Sequence, residues 1–184
     1  MLEQLLNAVK TNATDLIVNN SAVPNQHNDA VIHEAAQITA SGLKQAATSG
    51  SLQNLLTMFS NNGGSIASLA QNPVVKNIVS NLATKLSNHY GVSATNAQNL
   101  AGSLIPQVMN HFGQTVTNPA DNSIDINSLL GSLTNGKSGG VDFSSVLNQI
   151  NGGKNVDVSS LAGQFLGGET KGGLSGLVGK IFGK

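Results

Sequence analysis

The chain has 184 residues and no formal net charge, because nine lysines balance nine acidic residues and only 10% of all residues are charged. This composition argues against nucleic acid as a partner, since no arginine is present to contact phosphate and guanine. The absence of cysteine excludes disulfides, thiolate catalysis and cysteine-bound zinc. A neutral chain with an uncharged polar surface favours association with other protein chains instead.

The segment from Met1 to Ala70 is predicted to form four helices, because its apolar residues recur at helical spacing. The first helix ends at Asn19-Asn20, and the second covers about 28–48 and stops at Ser49-Gly50. A third, capped by Ser51, covers 51–59, and a brief fourth covers 65–70. The apolar stripe predicted for the first helix consists of Leu2, Leu5, Leu6, Val9, Ala13, Leu16 and Ile17.

Two longer helices are predicted next, and both have clear start signals. Asn72 followed by Pro73 is typical of an N-cap with proline at the first helical position. Gly91 is expected to end this helix in the left-handed conformation, and Ser93 is expected to cap the next helix. That helix contains Pro106, which predicts a kink, because the proline ring meets the carbonyl one turn earlier.

Three motifs in this region carry a resemblance to a known family. They are Asn-Pro-Val-Val, Leu-Ser-Asn-His-Tyr-Gly-Val-Ser and Ala-Gly-Ser-Leu-Ile-Pro-Gln-Val-Met, all between Gln71 and Phe112. The segment resembles the YidB-like family of small bacterial proteins from about Gly63 onward, and the N-terminal segment over 1–60 is unmatched. The resemblance implies an all-α fold. It brings no catalytic residues, because the function of that family is unassigned.

The last third of the chain repeats one pattern: apolar, Asp, apolar, polar, Ser, apolar. Copies begin at Ile124, Val141 and Val156, at nearly equal intervals, and a degenerate copy follows near Gly173. Each copy predicts a short helix with Asp as its N-cap. Helices this short do not persist alone in water, so we expect them to stack on one another or on another chain. The capping residues are Asp125, Asp142 and Asp157.

The final segment predicts an amphipathic helix with Lys180 and Lys184 away from its apolar stripe. We expect this stripe to contact the repeats or a neighbouring subunit. Binding to an anionic membrane surface is the less favoured alternative, because a few lysines supply only weak attraction. The stripe consists of Leu174, Leu177, Val178, Ile181 and Phe182.

No motif in the sequence predicts a metal or catalytic site. His33-Glu34 begins like a zinc-protease helix, but Gln37 stands where the second histidine is required. The aspartates and asparagines of 121–127 alternate as in a calcium loop, but the loop lacks its glycine and its final glutamate. His89 and His111 are interpreted as residues at helix ends that cover the edge of the core. We therefore expect no cofactor, no metal and no catalytic residues.

The predicted fold is an all-α multi-helix bundle followed by short capped helical repeats, whose period is about 15–17 in sequence number. Three parts are predicted: N-terminal helices over 1–62, a YidB-like helical core over 63–118, and Gly-rich short-helix repeats over 119–184 that end in the amphipathic helix.

The predicted function is that of a non-enzymatic structural or interaction protein that forms homo-oligomers, with a filament or another open assembly as the favoured form. Two alternatives stay open: a module that binds a protein or a glycan, and a peripheral membrane protein. No secretion signal or membrane-spanning run is present, so a cytoplasmic location is expected, with export by another route left open.

Overall fold

The computed structural model describes residues 2–49, 54–55, 58, 65–117 and 131–132. The described part is 89% helical, with five α-helices and no strands, which confirms the predicted all-α fold. A π-helical turn at Thr14–Val18 follows the first helix, and a 3-10 turn at Asn25–His27 precedes the second. The α-helices are α1 (Leu2–Ala13), α2 (Asn28–Thr48), α3 (Ile66–Gln71), α4 (Pro73–Tyr90) and α5 (Ala94–Thr117).

Four of the helices form a closed ring of neighbours. Helix α1 packs against α2 and α5, while α4 packs against α2 and α5. The short helix α3 lies beside α4 and α5. In this arrangement each of the four longer helices buries one apolar face toward the centre, which is the packing expected of an amphipathic helix in a bundle.

The helices of 1–62 and those of 63–118 share one hydrophobic core. Leu5 and Ile17 from the N-terminal segment belong to the same buried cluster as Ile78, Leu82 and Phe112. Thr39 is buried among these apolar residues, and its hydroxyl donates to the carbonyl of Ala35 at 2.7 Å. The described parts of the two segments therefore pack as one bundle.

The predicted stripe of the first helix is wrong at its beginning. Leu2 is 47% exposed, because it lies in the first turn of α1 at the edge of the bundle. The π-helical turn was not predicted either. By placing five residues in wider turns, it continues the helical path to Val18 and brings Ile17 into the core.

Helix α5 continues through Pro106 to Thr117, so the proline does not end the helix, and the kink stays a prediction. His111 consequently lies inside the helix, six positions before its end, rather than at its C-terminus. His89 and His111 are both exposed, so neither covers the core as interpreted from the sequence.

Helix α4 begins and ends with local interactions that its sequence specifies. The side-chain oxygen of Asn72 accepts the backbone N–H of Val74 at 2.8 Å, and Pro73 occupies the first helical position. At the other end Gly91 adopts φ 68°, in the left-handed region, and the Val92 N–H donates to the Leu86 carbonyl at 3.4 Å. This geometry satisfies a terminal carbonyl that the helix leaves without an internal donor. At the start of α5, the Ser93 hydroxyl accepts the N–H of Asn96 at 3.4 Å.

Replacing Asn72 by alanine is expected to lower the free energy of unfolding by about 1 kcal/mol. The substitution removes the cap on Val74 and also the hydrogen bond that the Asn72 side chain donates to the Asn54 carbonyl at 3.3 Å. Urea unfolding followed by circular dichroism measures the change. Asn88→Ala is the matched control, because Asn88 is exposed near the other end of the same helix. An Asn72→Ala protein as stable as this control would contradict the capping role.

Candidate functional site

Four polar or ionisable side chains from three elements meet at the carboxyl end of α4. The Tyr90 hydroxyl donates to the Glu34 carboxylate of α2 at 3.2 Å. The Lys85 Nζ lies 3.8 Å from the other oxygen of that carboxylate. The His27 ring meets the Tyr90 ring edge to face, with centroids 5.6 Å apart. We refer to His27, Glu34, Lys85 and Tyr90 as the polar cluster.

Local structure explains why these side chains converge. Tyr90 is the last residue of α4, and its ring packs against the edge of the hydrophobic core while its hydroxyl points to α2. Lys85 lies five positions earlier on the same helix. His27 ends the 3-10 turn that leads directly into α2. The polar cluster therefore joins the entry of α2 to the end of α4.

The Tyr90 phenol has a perturbed acidity. Burial, the negative charge of Glu34 and the hydrogen bond to its carboxylate, in that order, raise the pKa of Tyr90 above its ordinary value of 10.0. All three effects disfavour a phenolate at this position. The arrangement therefore keeps the phenol as a hydrogen-bond donor to the carboxylate.

Alkaline titration is expected to reveal this perturbation without overlap, because Tyr90 is the sole tyrosine and the chain has no tryptophan. Near-ultraviolet absorbance of the phenolate should give a pKa above 10.0 in the folded protein. Since the folded-state pKa exceeds the unfolded value, the stability that the phenol contributes is complete below pH 10 and is lost as the pH rises through the folded-state pKa.

The Glu34→Gln variant should move this titration toward the ordinary tyrosine value, because it removes the neighbouring negative charge. Asp29→Asn makes the same change of charge at an exposed position on α2 and should leave the titration where it is. Equal titration curves for the wild-type protein and Glu34→Gln would show that Glu34 does not act on Tyr90.

A shallow cleft of about 150 Å³ lies between the carboxyl half of α2 and the first turn of α4. Its polar lining is uncharged and comes from Gln45, Ser49 and Asn77, while Gly42 and Ala46 contribute small apolar surface. The cleft is separate from the polar cluster, which lies at the opposite end of α4. Its lining suits small neutral groups and carries no ionisable side chain.

The histidines do not come together as a metal site. Among the described residues, no three His, Asp or Glu side chains lie close enough to hold one ion. His27 belongs to the polar cluster, whereas His33, His89 and His111 are exposed on α2, α4 and α5. Exposed positions of this kind are ordinary for histidines on the outer faces of a helical bundle.

The remaining predicted residues lie outside the described part of the chain. They comprise the aspartates predicted as caps of the repeats and the apolar stripe of the final segment: Asp125, Asp142, Asp157, Leu174, Leu177, Val178, Ile181 and Phe182.

Sequence reasoning missed the polar cluster as a whole. Glu34 and Tyr90 are 56 positions apart, so no local spacing relates them. Two features of the sequence could have pointed to the polar cluster: Tyr90 stands at a predicted helix end, and Glu34 is a charged residue within an Ala-rich helix. Neither signal specifies a partner, because the pairing depends on how α2 packs against α4.

None of the described helices combines the length and the apolar character needed to cross a bilayer. No protein-family model, curated protein or solved structure matches the chain. The resemblance to the YidB-like family therefore stays a prediction.

Proposed function

We propose that this protein is a non-enzymatic structural or interaction protein that associates with copies of itself through its C-terminal part. One observation carries the proposal: the repeated apolar-Asp-apolar-polar-Ser-apolar pattern that begins at Ile124, Val141 and Val156. A unit of this length cannot bury its apolar side chains alone. Repetition of the unit supplies complementary neighbours, either along the chain or between chains.

Helices α1 to α5, which we call the helical body, support this proposal because they expose few large hydrophobic side chains. These amphipathic helices bury their apolar faces in a core of their own. Among the described residues, the large exposed hydrophobic side chains are Leu2, Val18 and Ile66, which belong to α1, the π-helical turn and α3. Single exposed apolar residues are normal on a monomer surface. This favours the C-terminal stripe, Leu174 to Phe182, over the helical body as the contact between subunits.

The absence of net charge also favours association, because no long-range repulsion keeps copies of the chain apart. Repeats that stack head to tail produce an open assembly unless the rotation between subunits closes a ring. We therefore propose a filament in which the repeats form the contacts between subunits and the helical body lies outside those contacts.

The test is sedimentation velocity of the full chain, with negative-stain microscopy of the same samples. The wild-type protein is expected to sediment as a species much larger than its 18.8 kDa monomer. Ile181→Asp should shift it toward the monomer, because an unpaired carboxylate buried in an apolar contact costs several kcal/mol.

Lys180→Gln is the matched control, because it makes the same change of −1 in net charge on the neighbouring residue and leaves the apolar stripe intact. This variant should sediment like the wild-type protein. A wild-type chain that stays monomeric at high micromolar concentration would contradict the proposal. If such a monomer instead co-sediments with anionic vesicles, and Ile181→Asp does not, the membrane-surface alternative would replace it.

A further inference from the structure

The polar cluster links parts of the chain that are distant in sequence. Its Tyr90–Glu34 hydrogen bond joins side chains 56 positions apart. Other side-chain pairs, such as Asn81 with Asn77 at 3.5 Å, lie within one helical turn and hold only their own helix. A long-range bond of this kind constrains how two elements pack, whereas a local bond does not.

The connection between α1 and α2, residues 19–27, depends on few attachments to the bundle. Asn19 and Asn20 donate to carbonyls of the preceding π-helical turn. The later backbone hydrogen bonds are internal to the connection: Val23 N–H donates to the Asn20 carbonyl at 2.9 Å, and His27 N–H donates to the Pro24 carbonyl at 2.8 Å. Val23 is buried, and most other residues of the connection are exposed. The contact of His27 with Tyr90 is the second anchor.

We propose that the polar cluster is a latch that holds the α1–α2 connection and the entry of α2 against the end of α4, so that releasing Tyr90 from Glu34 opens this connection locally while the core stays folded. The proposal goes beyond self-association, because it concerns the helical body and not the C-terminal repeats.

The geometry explains why the Tyr90–Glu34 hydrogen bond affects the connection between α1 and α2. Glu34 accepts from Tyr90 and pairs with Lys85, so the two α4 side chains converge on one carboxylate. With its hydroxyl held, the Tyr90 ring has a set orientation, and the edge-to-face contact with His27 depends on that orientation. Loss of the hydroxyl bond frees the ring and weakens the contact that anchors the connection.

The ion pair between Lys85 and Glu34 does not substitute for the Tyr90–Glu34 hydrogen bond. The Lys85–Glu34 pair is partly exposed, with side chains 37% and 20% accessible, and pairs of this kind contribute little in water. The latch therefore depends on the phenol hydroxyl and the His27 ring more than on the ion pair.

The test is amide hydrogen exchange on the full chain, measured residue by residue in Tyr90→Phe. This variant keeps the ring and removes only the hydroxyl. The amides of Val23 and His27 are expected to exchange on the order of five-fold faster, because the loss of a hydrogen bond of ordinary net strength raises the population of the local open state by about that factor. Leu82 is buried in the middle of α4, so its amide is expected to exchange through global unfolding, and its rate should rise with low concentrations of urea, whereas the rates of Val23 and His27 should not.

A second variant separates the ring contact from the hydroxyl bond. His27→Ala should accelerate Val23 to a similar extent and without urea dependence, while Asn25→Ala, an exposed change in the same 3-10 turn, should leave Val23 at the wild-type rate. Unchanged exchange at Val23 and His27 in Tyr90→Phe would overturn the proposal. A urea dependence at Val23 and His27 equal to that at Leu82 would also overturn it, because these amides would then exchange only through global unfolding.

Discussion

Phe112→Ala is expected to lower the free energy of unfolding of the bundle by about 3–5 kcal/mol. Phe112 is 1% exposed and is among the largest fully buried side chains of the core. Truncation removes the transfer free energy of the aromatic ring and leaves a cavity that the other residues of the buried cluster can fill only in part. A bundle of this size has a total stability of about 5–15 kcal/mol, so the variant loses a large share of it.

The measurement is urea unfolding followed by circular dichroism, with His111→Ala as the matched control. His111 precedes Phe112 in α5 but is exposed, so its truncation should change stability by less than about 0.5 kcal/mol. If both variants unfold at the same urea concentration, Phe112 does not belong to the core and the packing of α5 described above is wrong.

Gly42→Ala should destabilise the protein by up to about 2 kcal/mol, although alanine is the better helix former. A Cβ at this position would overlap Cγ1 of Ile78 and lie 3.0 Å from its Cδ1. Overpacking of this kind costs about 1–3 kcal/mol, and the gain of about 1 kcal/mol in helix propensity offsets only part of it. The glycine is thus required by the close approach of α2 to α4.

Gly102→Ala is a control with the opposite expected sign. Gly102 is exposed in α5, and apart from its own stretch of helix a Cβ there would have no atom of the described residues within 4 Å. Alanine should therefore stabilise the protein by up to about 1 kcal/mol through helix propensity alone. Combining Gly42→Ala with Ile78→Ala should cost less than the sum of the two single changes, because the smaller residue 78 leaves room for the new methyl group. Strict additivity would argue that the two residues do not touch.

Much of the bundle could be predicted from local patterns. The spacing of apolar residues predicted a helix over 28–48, and α2 covers Asn28–Thr48. Asn72-Pro73 and Gly91 bound α4 because capping and left-handed φ are properties of one or two neighbouring residues. Interactions within a few residues are visible in a sequence, since the partners are adjacent in it.

The polar cluster could not be predicted in the same way. Glu34, Tyr90 and His27 come from three elements, and their contacts exist only after α2 has packed against α4. The same holds for the exposure of Leu2, which lies on the predicted apolar stripe but beyond the edge of the core. Periodicity identifies the face of a helix, while the length of the neighbouring helices decides how far along that face burial extends.

By itself, the sequence determined the helical class, the bounds of α2 and α4, and the caps of α4, because each depends on contacts between near neighbours in the chain. Only the tertiary structure decided that the N-terminal helices share the core of the later ones, that Gly42 must lack a side chain, and that Tyr90 meets Glu34. These features follow from which helices pack together. That choice is made by the summed burial of many weak apolar contacts, and no single motif encodes it.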